Sequence, residues 1–440
     1  MIDKKMSKNI MFVSFPLLGH TKQMIALAKE LVERGYKVSF VISEVAKKWI
    51  STTGAEFIPW ESMVEQTENT EHNKKDFSWQ NISQEQSVLR GENMIFEHLI
   101  NLYVPMYKSL IPIFEKHSPD LLIIDRAVIP AMDLAQQMNI PYIVQSRFLG
   151  NFVKTNAEYP RFGTSYSIKM NLWQRCLNLL RPILLLPYFA LNDIKLNKVR
   201  TQCTGNKKLN DLYHQQLIIV GTSFGIEISR PLPPWVQMIG PIFSKTPELL
   251  DDSLSQWLAD DLEGKGVIYI AFGTLASMEE WQAKALVAGL EKSKLKVLWS
   301  LPKKQQHIIS NLPSSFRIED FVPQQAVLSH PNVRVFVSHC GMNSLNEALY
   351  WAKPILALPF FGDQHYNAAR IVDIGVGLKL NKQKFDSDDV TEKINILLTN
   401  LTYKEAANDI SVILKNSGGL NKAADIVEKM LFEGIKYFIK

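Results

Sequence analysis

A chain of 440 residues is longer than one hydrophobic core usually serves, and 46% apolar residues suffice for two domains of roughly 200 residues each. Its 49 basic and 44 acidic residues leave a formal charge of +5, yet they are scattered, which argues against a nucleic-acid partner while favouring an acidic ligand. Cys176, Cys203 and Cys340 have neither metal-ligand nor disulfide-framework spacing, so a reducing, cytoplasmic setting is expected.

The polar start MIDKKMSKN runs into an apolar stretch closed by Pro16 and Gly19, too short for a signal-peptide core and read as a first buried strand. Short apolar runs then alternate with helical patterns twice over, the signature of parallel sheets covered by helices on both faces. In the first half, strands are predicted at 10–15, 37–42, 121–125, 142–145 and 217–220. The stripe Met24, Ile25, Ala28, Leu31, Val32 predicts a helix that Gly35 ends. Residues 66–81 are polar and read as a variable loop; 91–115 reads as a long helix over an acceptor pocket. No stretch has 18 uninterrupted apolar residues, so a spanning helix is not expected. The nearest approach runs from Leu179 to Leu191, LLRPILLLPYFAL, and has two readings: a packed internal segment, or a greasy lip touching an acceptor or a membrane surface.

The alternation restarts at 267–272 and continues through 296–299, 333–337 and 355–358, with helices at 388–398, 402–415 and 420–439 closing the chain. A stretch at 240–249 with two prolines is the natural boundary. Domains are accordingly expected at 1–240 and 254–420, joined by a linker at 241–253 and followed by a terminal helix at 421–440 free to pack back on the first domain. Two such domains leave a cleft at the carboxyl ends of their strands, where open parallel sheets bind ligands.

The most informative stretch, 321–370, reads FVPQQAVLSHPNVRVFVSHCGMNSLNEALYWAKPILALPFFGDQHYNAAR. A strand ending at His339 is followed by Gly341 and a helix, with Asn343 or Ser344 as its cap. Unpaired backbone donors at a helix start favour pyrophosphate oxygens, and His339, Asn343 and Ser344 add side-chain donors there. Glu347, one turn on, either accepts from ribose hydroxyls or is a helical glutamate paired with a lysine. Asp363 and Gln364 open the next helix, where a carboxylate and an amide bind adjacent sugar hydroxyls or simply cap it. In the first half, PLLGHTKQ puts His20 at the carboxyl edge of the first strand, where a near-neutral pKa suits a general base; the plainer reading is a capping histidine. Asp125 ends the strand of PDLLIID at the same edge and is the partner that would orient His20, whereas Asp120 begins that strand at the opposite edge.

These ordered motifs resemble the UDP-glycosyltransferase family over nearly the whole chain. The resemblance implies an α/β GT-B fold of two Rossmann-like parallel-sheet domains, a UDP-sugar donor, inversion at the anomeric carbon, no cofactor and no metal. It also implies His20 as base and Asp125 as its orienting carboxylate. Thr274 and His339 would then face the phosphates with Gly341, Asn343 and Ser344, while Phe321, Val322 and Gln324 meet the nucleoside. Glu347 would hold the ribose, and Asp363 and Gln364 the sugar. Two positions depart from the family pattern. Phe321 stands where many members carry a tryptophan stacked on uracil, which favours uridine but leaves a thymidine donor open. Gln23 stands where a proline is usual.

Trp49, Trp60, Phe96, Tyr103, Tyr107, Phe148, Phe152 and Trp173 crowd the first half and, with the leucine-rich stretch, favour a polyketide, phenolic, terpenoid, sterol or lipid acceptor. The expected activity is hexosyl transfer from a UDP-sugar to a hydroxyl of such a molecule; the rival is a non-catalytic nucleotide-sugar sensor. A dinucleotide dehydrogenase is disfavoured, because PLLGH lacks the glycine series that brings backbone close to pyrophosphate.

Overall fold

The computed structural model describes residues 8–60, 78–150, 152–153, 158–161, 163–206, 209, 211–244, 248–260, 265–309 and 311–439. Most of the 66–81 loop and residues 245–247 of the expected linker lie outside the described residues. The chain builds two all-parallel sheets with helices on both faces. The first has seven strands in the order β3-β2-β1-β4-β5-β6-β7. These are β1 (Asn9–Val13), β2 (Lys37–Ile42), β3 (Glu56–Pro59), β4 (Leu121–Asp125), β5 (Tyr142–Ser146), β6 (Ile218–Val220) and β7 (Val236–Met238). The second has six, in the order β10-β9-β8-β11-β12-β13. They are β8 (Val267–Ala271), β9 (Lys296–Ser300), β10 (Phe316–Glu319), β11 (Val333–Ser338), β12 (Ile355–Ala357) and β13 (Gly377–Lys379).

Strands such as β4 (LLIID), β5 (YIVQS) and β8 (VIYIA) are buried throughout, as strands covered on both faces must be. Four strands went unrecognised in the sequence, β3, β7, β10 and β13, and all four are sheet edges. Their sequences, EFIP, VQM, FRIE and GLK, are short and partly exposed. With one neighbour missing, an edge strand keeps polar side chains in water and loses the apolar run that marks its interior companions.

The first sheet is clad on one face by the Leu18–Glu33 helix and by the late Gly419–Glu433 helix, whose Leu420, Ala423, Ala424, Val427 and Met430 enter the same core as Ile10 and Leu27. Arg34 adds bonds to Asp425 at 2.6 Å and Glu428 at 3.3 Å. Its other face is covered by Val88–His117, which stays helical through Pro105 and Pro112, and by Ile129–Gln137. Tyr103 and Tyr107 of the long helix, like Trp60, are buried against that face. These three aromatics therefore fill the core instead of lining an acceptor pocket.

The Leu179 to Leu191 stretch is not an internal segment. It joins two helices, Leu172–Leu184 and Leu186–Thr204, the first opened by a capping box of Asn171 and Gln174. Asn178 is the buried residue of the first of these helices, whereas Leu179, Leu180, Ile183, Leu184, Leu186, Phe189 and Leu191 are all exposed.

The carboxyl edges of the two sheets meet across a polar seam. Gln23, buried, receives a bond from Gln145 at 2.7 Å and donates to the Gly221 carbonyl at 3.1 Å and to Asn343 Oδ1 at 3.0 Å. Asn346, fully buried, donates to the Gly221 carbonyl at 2.9 Å and accepts from Thr222 at 3.0 Å. Gly221 is required at this junction, since a Cβ there would lie 1.9 Å from Gln23 Oε1. Gly221→Ala is therefore expected to expel the Gln23 side chain and destabilise the protein by about 1–3 kcal/mol, read as a lowered thermal midpoint.

Candidate active site

Parallel strands deliver their carboxyl ends to one edge, and the first sheet places three consecutive neighbours there. The residues after β1 turn directly into the Leu18–Glu33 helix, so His20 lies in its first turn; Asp125 ends β4; Arg147 follows β5. His20 Nδ1 stands 2.7 Å from Asp125 Oδ2. The other carboxylate oxygen accepts the Ala127 N–H at 3.1 Å, which fixes the group from behind. Arg147 Nη2 lies 3.1 Å from His20 Nε2. A guanidinium can only donate, so Nε2 carries the lone pair and Nδ1–H points at Asp125. Burial and the Arg147 charge pull the imidazole below its usual 6.5, although Asp125 pulls the other way. Burial pushes Asp125 up, but His20, Arg147 and the Ala127 N–H together keep the carboxyl below its usual range. The result is a neutral imidazole oriented by an ionised carboxylate. Asp120, at the far end of β4, is bonded to Lys8 and the Asn9 N–H.

The second sheet presents the Met342–Tyr350 helix. Gly341 is its N-cap, in extended conformation, and no side chain caps it. Neither Asn343 nor Ser344 plays the capping role expected of them. Asn343 instead donates to the Gly19 carbonyl at 2.8 Å, and Ser344 accepts from Gln324 at 3.2 Å. The first N–H groups of the helix are thus left without a side-chain cap, the arrangement that receives an anion. The His339 ring is wedged between two glycines: a Cβ on Gly341 would lie 2.6 Å from its Nε2, and one on Gly273 3.0 Å. Its Nδ1 is buried with no partner among the described residues, and burial pushes its pKa down to about 4, so it is a neutral donor at physiological pH. Thr274, beside Gly273, is exposed.

Around the nucleoside position, the Phe321 ring is 63% exposed and so offers a free stacking face. Val322 does not: its side chain is buried in the second core, which leaves only its backbone for a ligand. Glu347 is fully buried and is paired with a lysine, though one from the other domain and not from its own helix. Gln324 donates to it at 2.6 Å, and Lys22 pairs with it from the opposite side of the cleft. Asp363 is the N-cap of Gln364–Asp373, but its side chain accepts from Asn367 at 2.8 Å and does not cap. Gln364 Oε1 accepts the N–H groups of Phe360 and Phe361 at 2.8 and 3.1 Å, so only its amide N–H groups remain for a sugar. Among the described residues no group of three or more His, Cys, Asp or Glu is placed to hold a metal ion.

Reading motifs alone missed Arg126, Arg147 and Lys22. The first two follow directly on β4 and β5, so the strand-end rule that selects His20 and Asp125 would have found them. Lys22 gave no signal, because its partner is 325 residues away.

Two parallel-sheet domains meeting edge to edge, with a dyad on one side and an uncapped helix start on the other, define a GT-B glycosyltransferase. The chain belongs to the UDP-glucoronosyl and UDP-glucosyl transferase family, whose model matches residues 13–425. It is 28% identical over 377 residues to UDP-glycosyltransferase 1 of Phaeomoniella chlamydospora, covering 78% of this chain and 75% of that protein. Two further fungal relatives are matched over 66% of their own length. Among solved structures, the glycotransferase of kitacinnamycin superposes with a TM-score of 0.71 at 20% identity, over 96% of this chain and 98% of that one. Glycosyltransferase VinC in complex with dTDP superposes with a TM-score of 0.67 at 17% identity, over 97% and 100%.

Replacing His20 should separate chemistry from binding. His20→Ala is expected to lower sugar transfer by about 10²–10⁴-fold while calorimetry finds UDP affinity little changed. In the unmodified protein the rate should rise with pH through an inflection below 6.5, because the imidazole must be neutral to accept a proton. His339→Ala removes a donor to a charged group and should weaken UDP by about 10–150-fold.

Proposed function

We propose that the chain transfers a hexose, with inversion, from a UDP-sugar to a hydroxyl of a largely apolar small molecule or lipid. The observation that carries this reading is the oriented imidazole of His20 at one lip of the cleft, opposite an uncapped helix start backed by His339. The acceptor hydroxyl gives its proton to His20 Nε2 as its oxygen bonds to the anomeric carbon. The bond from that carbon to the diphosphate breaks on the opposite face, and its electron pair leaves on UDP. Asp125 stabilises the imidazolium until solvent takes the proton. His339, Thr274, Ser344 and the helix start receive the growing negative charge. Glu347 and Gln324 hold the ribose end, and Asp363 and Gln364 the sugar.

Incubation of the purified protein with UDP- and dTDP-sugars and an acceptor set of phenols, sterols and long-chain alcohols tests this by product mass. A β-linked product from an α-linked UDP-hexose is expected; binding of the donor without any product in the whole set would leave the sensor reading in its place. Phe321 is the reason for the dTDP arm, and faster transfer from dTDP-sugars would move the nucleoside assignment to thymidine.

The acceptor's route is proposed to be a lipid surface with anionic headgroups. Leu172, Trp173, Ile183, Leu184, Leu186 and Phe189 stand exposed on consecutive helices of the first domain. Between 169 and 198 five basic residues flank them against one acid, which complements anionic headgroups. No described helix is long and apolar enough to cross a membrane, so the contact would be peripheral. The three cysteines are free, which supports a reducing, cytoplasmic compartment. Vesicles of phosphatidylcholine with phosphatidylglycerol should retain the protein on flotation, and the double substitution Ile183→Glu, Leu184→Glu should release it. Retention of the double variant would sink the lipid assignment.

A further inference from the structure

Two guanidinium groups stand at the His20 end of the cleft with no role in the reaction just described. Arg147 reaches the Gly19 carbonyl at 3.2 Å with Nη1 and His20 Nε2 at 3.1 Å with Nη2. It therefore lies on the very lone pair that an acceptor hydroxyl must use. Arg126 is held over the rings of Phe148 at 4.4 Å and Phe152 at 4.9 Å. Its Nη1 is buried without a hydrogen-bond partner among the described residues. Gly150, in the left-handed region at φ 54°, leaves room for it, since a Cβ there would come within 2.9 Å of that nitrogen. The Arg147 guanidinium also faces Phe148, at 5.9 Å from its ring centre.

Neither arginine forms a direct ion pair with a carboxylate among the described residues. Asp125 is committed to His20 and the Ala127 N–H, and Asp363 to Asn367. Glu227, the remaining acid packed near this end, accepts the Leu149 N–H, and burial pushes its pKa up. Arg126 is a desolvated cation with an unpaired donor, and the half-buried Arg147 cation faces the same Phe148 ring, an arrangement that is unfavourable unless an anion joins them.

We propose that the substrate carries an acidic group, a carboxylate or phosphate, beside its reacting centre, bound between Arg126 and Arg147. The inference rests on the transferase reading and adds the substrate class for the same site. The acid performs a second task there: by drawing the Arg147 guanidinium away from His20 Nε2 it uncovers the base. A neutral molecule must displace Arg147 unaided and so reaches the base less readily. The acidic group has two sources, the acceptor or the donor's sugar, because the Arg126 guanidinium lies at the His20 end of the cleft and also feels the charge of Asp363.

Binding calorimetry on the full chain with two matched pairs tests this. One pair is 12-hydroxydodecanoic acid and its methyl ester, added with UDP present; the other is UDP-glucuronic acid and UDP-glucose. The acid of at least one pair should bind about tenfold more tightly than its neutral partner, the usual gain of a charge-assisted bidentate contact. Arg126→Gln and Arg147→Gln should each bring that ratio close to one while the affinity for UDP alone stays within about twofold. Preference in the first pair assigns the acid to the acceptor, and in the second to the sugar. Equal binding within both pairs, or a preference that survives both substitutions, overturns the proposal. No turnover is needed for this readout. Acid-selective binding without sugar transfer would thus sink the transferase reading and keep this site, whereas transfer to neutral alcohols without acid preference would do the reverse. In the pH profile for neutral acceptors, Arg147→Gln should move the acidic inflection upward, since a cation next to His20 has been removed.

Discussion

Asn346 divides its buried amide between the Thr222 hydroxyl and the Gly221 carbonyl, and those two bonds tie the donor-side helix to the first sheet. The same helix carries, three residues earlier, the Asn343 bond to the Gly19 carbonyl, one residue before His20. A single helix therefore sets the position of its own uncapped start relative to the His20 imidazole, which in the proposed reaction are the diphosphate site and the base. Positional precision between reacting groups is worth several orders of magnitude in rate. The seam consists of neutral amides, carbonyls and a hydroxyl, and the bonds of Asn343 and Asn346 cross the cleft, so it holds only when the two edges meet in register. Gln23, in place of the usual proline, belongs to this seam: it bonds to Gln145 and Gly221 on its own side and to Asn343 on the other.

Much of the fold could be read from the chain because parallel strands buried on both faces are compact apolar runs, and the nine that were read are all written that way. The four that escaped are edges, where polar residues are tolerated and no run forms. The positions of His20 and Asp125 were likewise open to sequence reasoning, since Asp125 ends a strand and His20 opens the helix that follows one. The details that failed depend on through-space competition. Asn343 and Ser344 look like caps, but Gly19 and Gln324 claim their side chains. Val322 looks like part of the nucleoside motif, yet its side chain falls on the core side of the loop. The pairing of Lys22 with Glu347 joins the two domains and has no local signature at all.

Charge is arranged asymmetrically about the cleft. On the donor side the groups expected to meet phosphate are neutral: an imidazole pushed down to about 4, hydroxyls and uncapped N–H groups. On the other side stand two guanidinium groups and the dyad. In the proposed reaction a departing diphosphate would thus be stabilised by fixed dipoles, which need no reorganisation, while net positive charge stays on the His20 side of the cleft.

Lys22 and Glu347 form an ionic bolt across the two lobes, with the glutamate shut off from water. A ribose that takes up the carboxylate must draw this bolt, so nucleoside arrival loosens one tie between the lobes at the moment it adds its own contacts to both. The ligand would work as a replacement fastener for the pair it displaces.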